Sequence, residues 1–148
     1  MQLAKWKGAY VLGTASGRSQ SFLTELGVDQ PINYETTRFE DVARDLDVVL
    51  DTLGGDVRSR SWKVLKKGGF LVSIVGPPSL EDAQAHGMQH TVILVQPNRA
   101  ELTQIANLID TGKLKVHVDA VFSLAEAAKA HELSQTLRVR GKIVLRVA

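Results

Sequence analysis

From near its start to its end, the chain alternates between short runs of apolar, β-branched residues and amphipathic stretches bounded by helix-capping residues. Parallel strands need a crossover between them, usually a helix, so this alternation confines the fold to the α/β class with a parallel sheet. The apolar runs are Ala9 to Leu12, Ile32 to Tyr34, Val48 to Leu50 with Asp47 and Asp51 at its ends, Phe70 to Val75, Thr91 to Val95, and Lys142 to Val147. Runs as uniformly apolar as VVL and FLVSIV predict strands covered on both faces. Between them, Arg18 to Leu26 reads as a helix stopped by Gly27, and Val57 to Leu65 as one ended by Gly68 and Gly69. Three capping pairs predict further helix starts: Thr37 with Glu40 for a helix through Asp45, Asn98 with Glu101 for one closed by Gly112, and Ser123 with Glu126 for one reaching Gln135. Gly76-Pro77-Pro78-Ser79 reads as a rigid turn. Gln2 to Lys7 reads as the last two turns of an amphipathic helix with Gly8 as its stop. The expectation is therefore a chain that starts inside an element of a longer protein, with an earlier strand absent.

A length of 148 residues predicts one domain, 1–148. A formal charge of +2, with basic and acidic residues interspersed, gives no general polyanion-binding surface, so no nucleic-acid partner is expected. No apolar run approaches the roughly 20 residues of a membrane span. The absence of cysteine excludes disulfides and thiolate metal sites, and the N-terminal MQLAKWKGAY has no secretory signal, so a cytoplasmic location is expected. His86, His90, His117 and His131 have no metal-ligand spacing, and no GxSxG turn presents a nucleophile. Neither a metal site nor hydrolase chemistry is predicted.

Ligands of open parallel sheets bind beyond the carboxyl ends of the strands, so the turns there carry the functional information. They read Gly13 to Arg18 (GTASGR), Tyr34 to Thr37, Asp51 to Gly55 (DTLGG), Gly76 to Pro78, and Val95 to Asn98. Their Gly, Ser, Thr and Pro residues allow close backbone approach and supply neutral hydrogen bonds, which suits a nucleotide. Folds that prefer NAD place an acidic residue after the second strand of the unit, to hold the ribose hydroxyls. Ser16 and Arg18 stand there instead, and a hydroxyl with a guanidinium favours the 2′-phosphate of NADP. The alternative is that Ser16 only caps the following helix and Arg18 is solvated.

The ordered segments GTAS, LTELGVDQPINY, DVVLDTLGG, LKKGGFLVSIVGPP and VRGKIVLRV resemble the cofactor half of the medium-chain dehydrogenase/reductase superfamily. The INY segment and the RGKIVL ending are most similar to its zinc-independent quinone oxidoreductase branch. The resemblance implies a Rossmann-like, doubly wound parallel sheet truncated at its N-terminus, with the first strand and the glycine-rich phosphate turn lying before Gln2. It also implies a separate catalytic domain toward which the final strand, 142–147, returns. The residues it assigns to the cofactor are Gly13, Thr14, Ser16 and Arg18 around the adenosine ribose and 2′-phosphate, and Tyr34 against the adenine-side phosphate. Thr52 and Gly55 would line the crevice, Val75 and Gly76 border the nicotinamide ribose, Leu94, Val95 and Gln96 touch the carboxamide edge, and Lys142 reach the phosphates. Tyr34 could equally be a strand-end aromatic and Lys142 a solvated strand start.

On this resemblance the reaction is hydride transfer from NADPH to a quinone or other conjugated carbonyl. The cofactor carries the chemistry and the protein positions it, so no catalytic residue is named. The expected partners are a small-molecule substrate and a second copy paired through the Thr91 to Val95 edge strand; the chain alone is expected to be inactive. A second reading is a non-catalytic truncated domain serving dimerisation or folding. A third, a methyltransferase-like fold with a nucleoside ligand, is disfavoured by Arg18 where an acidic ribose ligand would stand.

Overall fold

A computed structural model describes residues 1–78 and 80–147; Ser79, the last residue of the expected rigid turn, lies outside the described residues. The chain forms two compact units, one from residues 10–97 and the other from 1–9 with 98–148. Every strand pairing within them is parallel.

In the 10–97 unit, β1 (Leu12–Ala15) pairs with β2 (Gln30–Asn33), with a short 3-10 turn (Gly17–Ser19) and α2 (Gln20–Glu25) between them. After α3 (Phe39–Val42) comes a second sheet of β3 (Leu46–Asp51), β4 (Leu65–Ser73) and β5 (Gln89–Val92), in the order β3-β4-β5. Its crossovers are α4 (Gly55–Ser61) with a 3-10 turn (Trp62–Val64), then α5 (Leu80–His86). In the doubly wound order 3-2-1-4-5-6 the first strand lies between the second and the fourth. A sheet of that order without its first strand divides into a pair and a triplet, as β2-β1 and β3-β4-β5 do here.

The core of this unit lies under β4, where Trp62, Leu65 and Leu71 are buried together with Leu46, Val49 and Met88 packed against them. Trp62 stacks on His86 at 5.9 Å between ring centroids. Only β4, flanked on both sides, approaches the expected burial of both faces; on β3, Val48 and Leu50 are 57% and 59% exposed.

Several boundaries move. The first strand runs from Leu12 to Ala15 and not from Ala9 to Leu12, so Gly13 and Thr14 are strand residues; the pairing Leu12↔Gln30 through Ala15↔Asn33 sets its position. Tyr34 and Val75 fall just beyond their strands, and β5 ends at Val92, leaving Ile93, Leu94 and Val95 outside it. Gly68 and Gly69 do not end a helix; they sit inside β4, at a bulge where the pairing jumps from Leu46↔Leu65 to Val48↔Phe70. The Thr37 cap does not form, since α3 has Arg38 at its N-cap and no side-chain cap bond. Glu40 instead pairs with Arg38 and with Arg60 of α4, each at 2.8 Å.

The second unit joins α1 (Gln2–Trp6) to α6 (Arg99–Asp110), β6 (Val118–Ser123), α7 (Ala127–Gln135) and β7 (Lys142–Arg146). The Gln2 side chain clamps Lys115, donating from Nε2 to its carbonyl at 2.9 Å and accepting its N–H at 2.8 Å. The expected caps of α6 are present: Asn98 Oδ1 accepts from the N–H of Ala100 and Glu101, and Gly112 follows with φ +70°. β6 pairs with β7 and was not among the expected strands.

Ser123 and Glu126 form the expected capping box ahead of α7. Hydrogen bonds from Lys129, then from the Ser123 hydroxyl and N–H, pull the Glu126 carboxyl from 4.5 down to about 2. Its folded value lies below the unfolded one, so the cap's contribution is complete above pH 4.5 and is lost as pH falls from there through about 2. Carboxyl-carbon NMR should show Glu126 titrating near that low value, and Lys129→Ala should move the midpoint toward 4.5; an ordinary midpoint in the unaltered protein would remove the assignment.

Candidate functional site

The turns at the carboxyl ends of the strands in the 10–97 unit form two groups. The first closes β1 and β2. Ser16 is the extended N-cap of the 3-10 turn that carries Arg18. Tyr34 donates its N–H to the Ala15 carbonyl at 3.1 Å, which joins the two turns. The Gln20 side chain donates to the carbonyls of Ala15 and Ser16 at 2.9 and 3.2 Å, holding the turn from below. Arg18 and Tyr34 are exposed, Ser16 is half-buried, Thr14 is exposed within β1 and Gly13 is buried there. The Gly17 N–H donates to a carboxylate oxygen of Glu35 at 2.7 Å.

The second group closes β3 and β4 and is organised by Asp51, which is 3% exposed. One carboxylate oxygen accepts the N–H of Leu53 at 3.1 Å and of Gly54 at 2.7 Å. The other accepts the Ser73 hydroxyl at 3.0 Å and lies 3.9 Å from the Arg58 guanidinium. Arg58 in turn donates to the Gly76 carbonyl at 2.8 Å. One buried carboxylate thus locks the turn carrying Thr52 and Gly55 to the turn carrying Val75 and Gly76. Gly54 has φ +73°, and a Cβ there would stand 3.3 Å from a Val75 methyl, so glycine allows the two turns to touch.

Leu94 and Val95 follow β5 and are 80% and 83% exposed; Gln96 is exposed beside them. Lys142 opens β7 in the other unit, where its N–H donates to the His117 carbonyl at 2.8 Å. The expected residues therefore fall on four separate features: Gly13, Thr14, Ser16, Arg18 and Tyr34 on β1 and the turns closing β1 and β2, Thr52, Gly55, Val75 and Gly76 on the turns closing β3 and β4, 94–96 on the segment after β5, and Lys142 on β7 of the other unit. Asp51, Ser73, Arg58 and Glu35 were not among them. Asp51 had a visible signal, an acid ending an apolar strand just before Gly54 and Gly55, but its partner lies 22 residues on. Among the described residues no group of three or more His, Asp or Glu side chains is placed to hold a metal ion. No described helix is long and apolar enough to cross a membrane.

The sequence profile of a family described as zinc-binding dehydrogenase matches residues 26–145. A probable zinc-binding oxidoreductase, mitochondrial, of Arthroderma benhamiae is 30% identical over 93% of this chain and 44% of its own length. The 2-methylene-furan-3-one reductase of Solanum lycopersicum is 30% identical over 98% of this chain and 36% of its own. Among solved structures, the quinone oxidoreductase from Coxiella burnetii superposes with a TM-score of 0.89 and 38% identity, over 99% of this chain and 48% of that one. The chain spans less than half the length of each of these three proteins.

Proposed function

The chain belongs to the zinc-binding dehydrogenase family, as part of the nicotinamide-cofactor half of a medium-chain dehydrogenase/reductase, and from that premise we propose that it binds NADPH for reduction of a quinone or other conjugated carbonyl. The observation that supports the cofactor reading is the pair of turns closing β1 and β2, which carry Ser16, Arg18 and Tyr34 and are joined by the Tyr34 N–H to the Ala15 carbonyl. Their donor set fits an adenosine ribose with a 2′-phosphate: a hydroxyl and a guanidinium bind phosphate oxygens, and an exposed phenol offers a stacking face for adenine.

Residues Thr52, Gly55, Val75 and Gly76 would border the nicotinamide end, with Gly13 and Thr14 beneath the ribose, Leu94, Val95 and Gln96 against the carboxamide, and Lys142 toward the phosphates. The bound nicotinamide supplies the hydride. This chain's residues bind and orient it, and the Asp51 lock keeps the two turns beside it from drifting. The names of the Coxiella and tomato relatives support a quinone or reducible small molecule as acceptor. The reading includes a cytoplasmic location and a homodimer built on the free edge of β5, beyond which Leu94 and Val95 stand exposed.

Calorimetric titration with NADPH and with NADH tests it. Arg18→Ala should weaken NADPH by about 1.5 kcal/mol, the lower end for a hydrogen bond to a charged group, and leave NADH nearly unchanged. Equal weakening of both would remove Arg18 from the 2′-phosphate, and no binding of either would remove the cofactor reading.

A further inference from the structure

Glu35 lies against the turn that carries Ser16 and Arg18. It follows Tyr34 at the end of β2, and its carboxylate takes the N–H of Gly17, the residue between Ser16 and Arg18. The contact is built in. Glu35 donates its own N–H to the Asn33 side-chain carbonyl at 3.0 Å, and Thr36 and Thr37 donate theirs to the Asn33 backbone carbonyl. Tyr34 is tied to Ala15, so the backbone on either side of Glu35 is fixed against the end of β1. Gly17 is close enough that a Cβ there would stand 3.1 Å from the Asn33 amide nitrogen and 3.3 Å from the Glu35 carboxylate.

A carboxylate in this position has two consequences for a ligand at Ser16 and Arg18. It occupies a backbone donor that a phosphate oxygen would otherwise use, and it places a like charge beside an incoming dianion. A ribose with a free 2′-hydroxyl meets neither penalty, and can donate a hydrogen bond to the carboxylate. We propose that Glu35 is a specificity-determining residue at the adenosine end: it acts as an internal substitute for the 2′-phosphate and holds down the preference for NADP that Ser16 and Arg18 create. This inference rests on the assignment of that turn to the adenosine ribose.

The adenosine end can be probed by itself in the 148-residue chain, with 2′,5′-ADP and 5′-AMP as ligands and the Gly17 amide resonance followed by NMR. Glu35→Gln keeps an oxygen to accept the Gly17 N–H and removes the charge. It should tighten 2′,5′-ADP about tenfold, about 1.4 kcal/mol, while 5′-AMP changes less than about twofold. The gain should shrink as salt rises from about 0.05 M to about 0.5 M, since the effect is one of exposed charges; a merely structural role would not respond to salt. Glu35→Ala should shift the ratio in the same direction. If 2′,5′-ADP binds and is weakened by Arg18→Ala but Glu35→Gln leaves the ratio of the two ligands unchanged, the role of Glu35 is overturned and the adenosine assignment stands. If neither nucleotide binds the unaltered chain, the assignment itself falls and this inference falls with it.

Discussion

Asp51→Ala should cost the 10–97 unit about 3 to 5 kcal/mol, the range for removing one partner of a buried charged pair. The side chain is nearly inaccessible and serves two backbone N–H groups, one hydroxyl and one guanidinium. Alanine leaves those donors in place without an acceptor, and each stranded buried donor costs about 1 to 3 kcal/mol. The Arg58 charge keeps only the Gly76 carbonyl. Asp51→Asn should cost less, because an amide oxygen can still accept from Leu53 and Gly54. Urea unfolding followed by Trp62 fluorescence, in a Trp6→Phe background, reads the unit that contains Asp51. A loss below about 1 kcal/mol would mean that water replaces the carboxylate at little cost, and that the lock between the turns is not structural.

Leu71→Ala should destabilise the same unit by about 2 to 5 kcal/mol, the range for emptying a buried leucine site. Leu71 is 0% exposed and stands in the middle strand, opposite Val49 on one side and His90 on the other. Its side chain belongs to the cluster with Trp62 and Leu65, so truncation opens a cavity bounded by a large rigid ring that relaxes poorly. Leu50→Ala is the control: it deletes an equally apolar side chain from the neighbouring strand, but one that is mostly exposed, and should stay within about 0.5 kcal/mol. Equal losses at the two positions would show that Leu50 is covered in solution.

These two positions also show how far the sequence could be read. The parallel α/β class followed from the alternation of runs, and the caps at Asn98 and Ser123 followed from residues three apart, because a helix start is decided within one turn. The Thr37 cap failed because Glu40 is claimed by Arg38, two residues before it, and by Arg60, 20 residues along the chain; the second partner no local rule can see. Gly68 and Gly69 read locally as a helix stop, yet pairing with β3 draws them into a strand with a bulge. β6, with the sequence VDAVFS, went unrecognised because Asp119 near its start breaks the uniformly apolar run by which the other strands were read. At the candidate site, the glycine, serine and threonine turns were legible because they must follow strands. Asp51 and Glu35 were not, since the role of each depends on a partner 22 or 18 residues away that only folding brings near.

The unit built from 1–9 and 98–148 has an implication for the order of events during synthesis. The Gln2 side chain meets Lys115, 113 positions further along the chain. A ribosome delivers all of 10–97 before residue 98, so that segment can settle while the first helix still has nothing to dock against. The entropy of closing so long a loop grows only by about 0.6 kcal/mol per doubling of its length. A prefolded 10–97 unit shortens the effective loop further, because its ends are then already held. Translation order and topology thus favour the same sequence of events, with the contiguous unit forming before the two flanking segments meet.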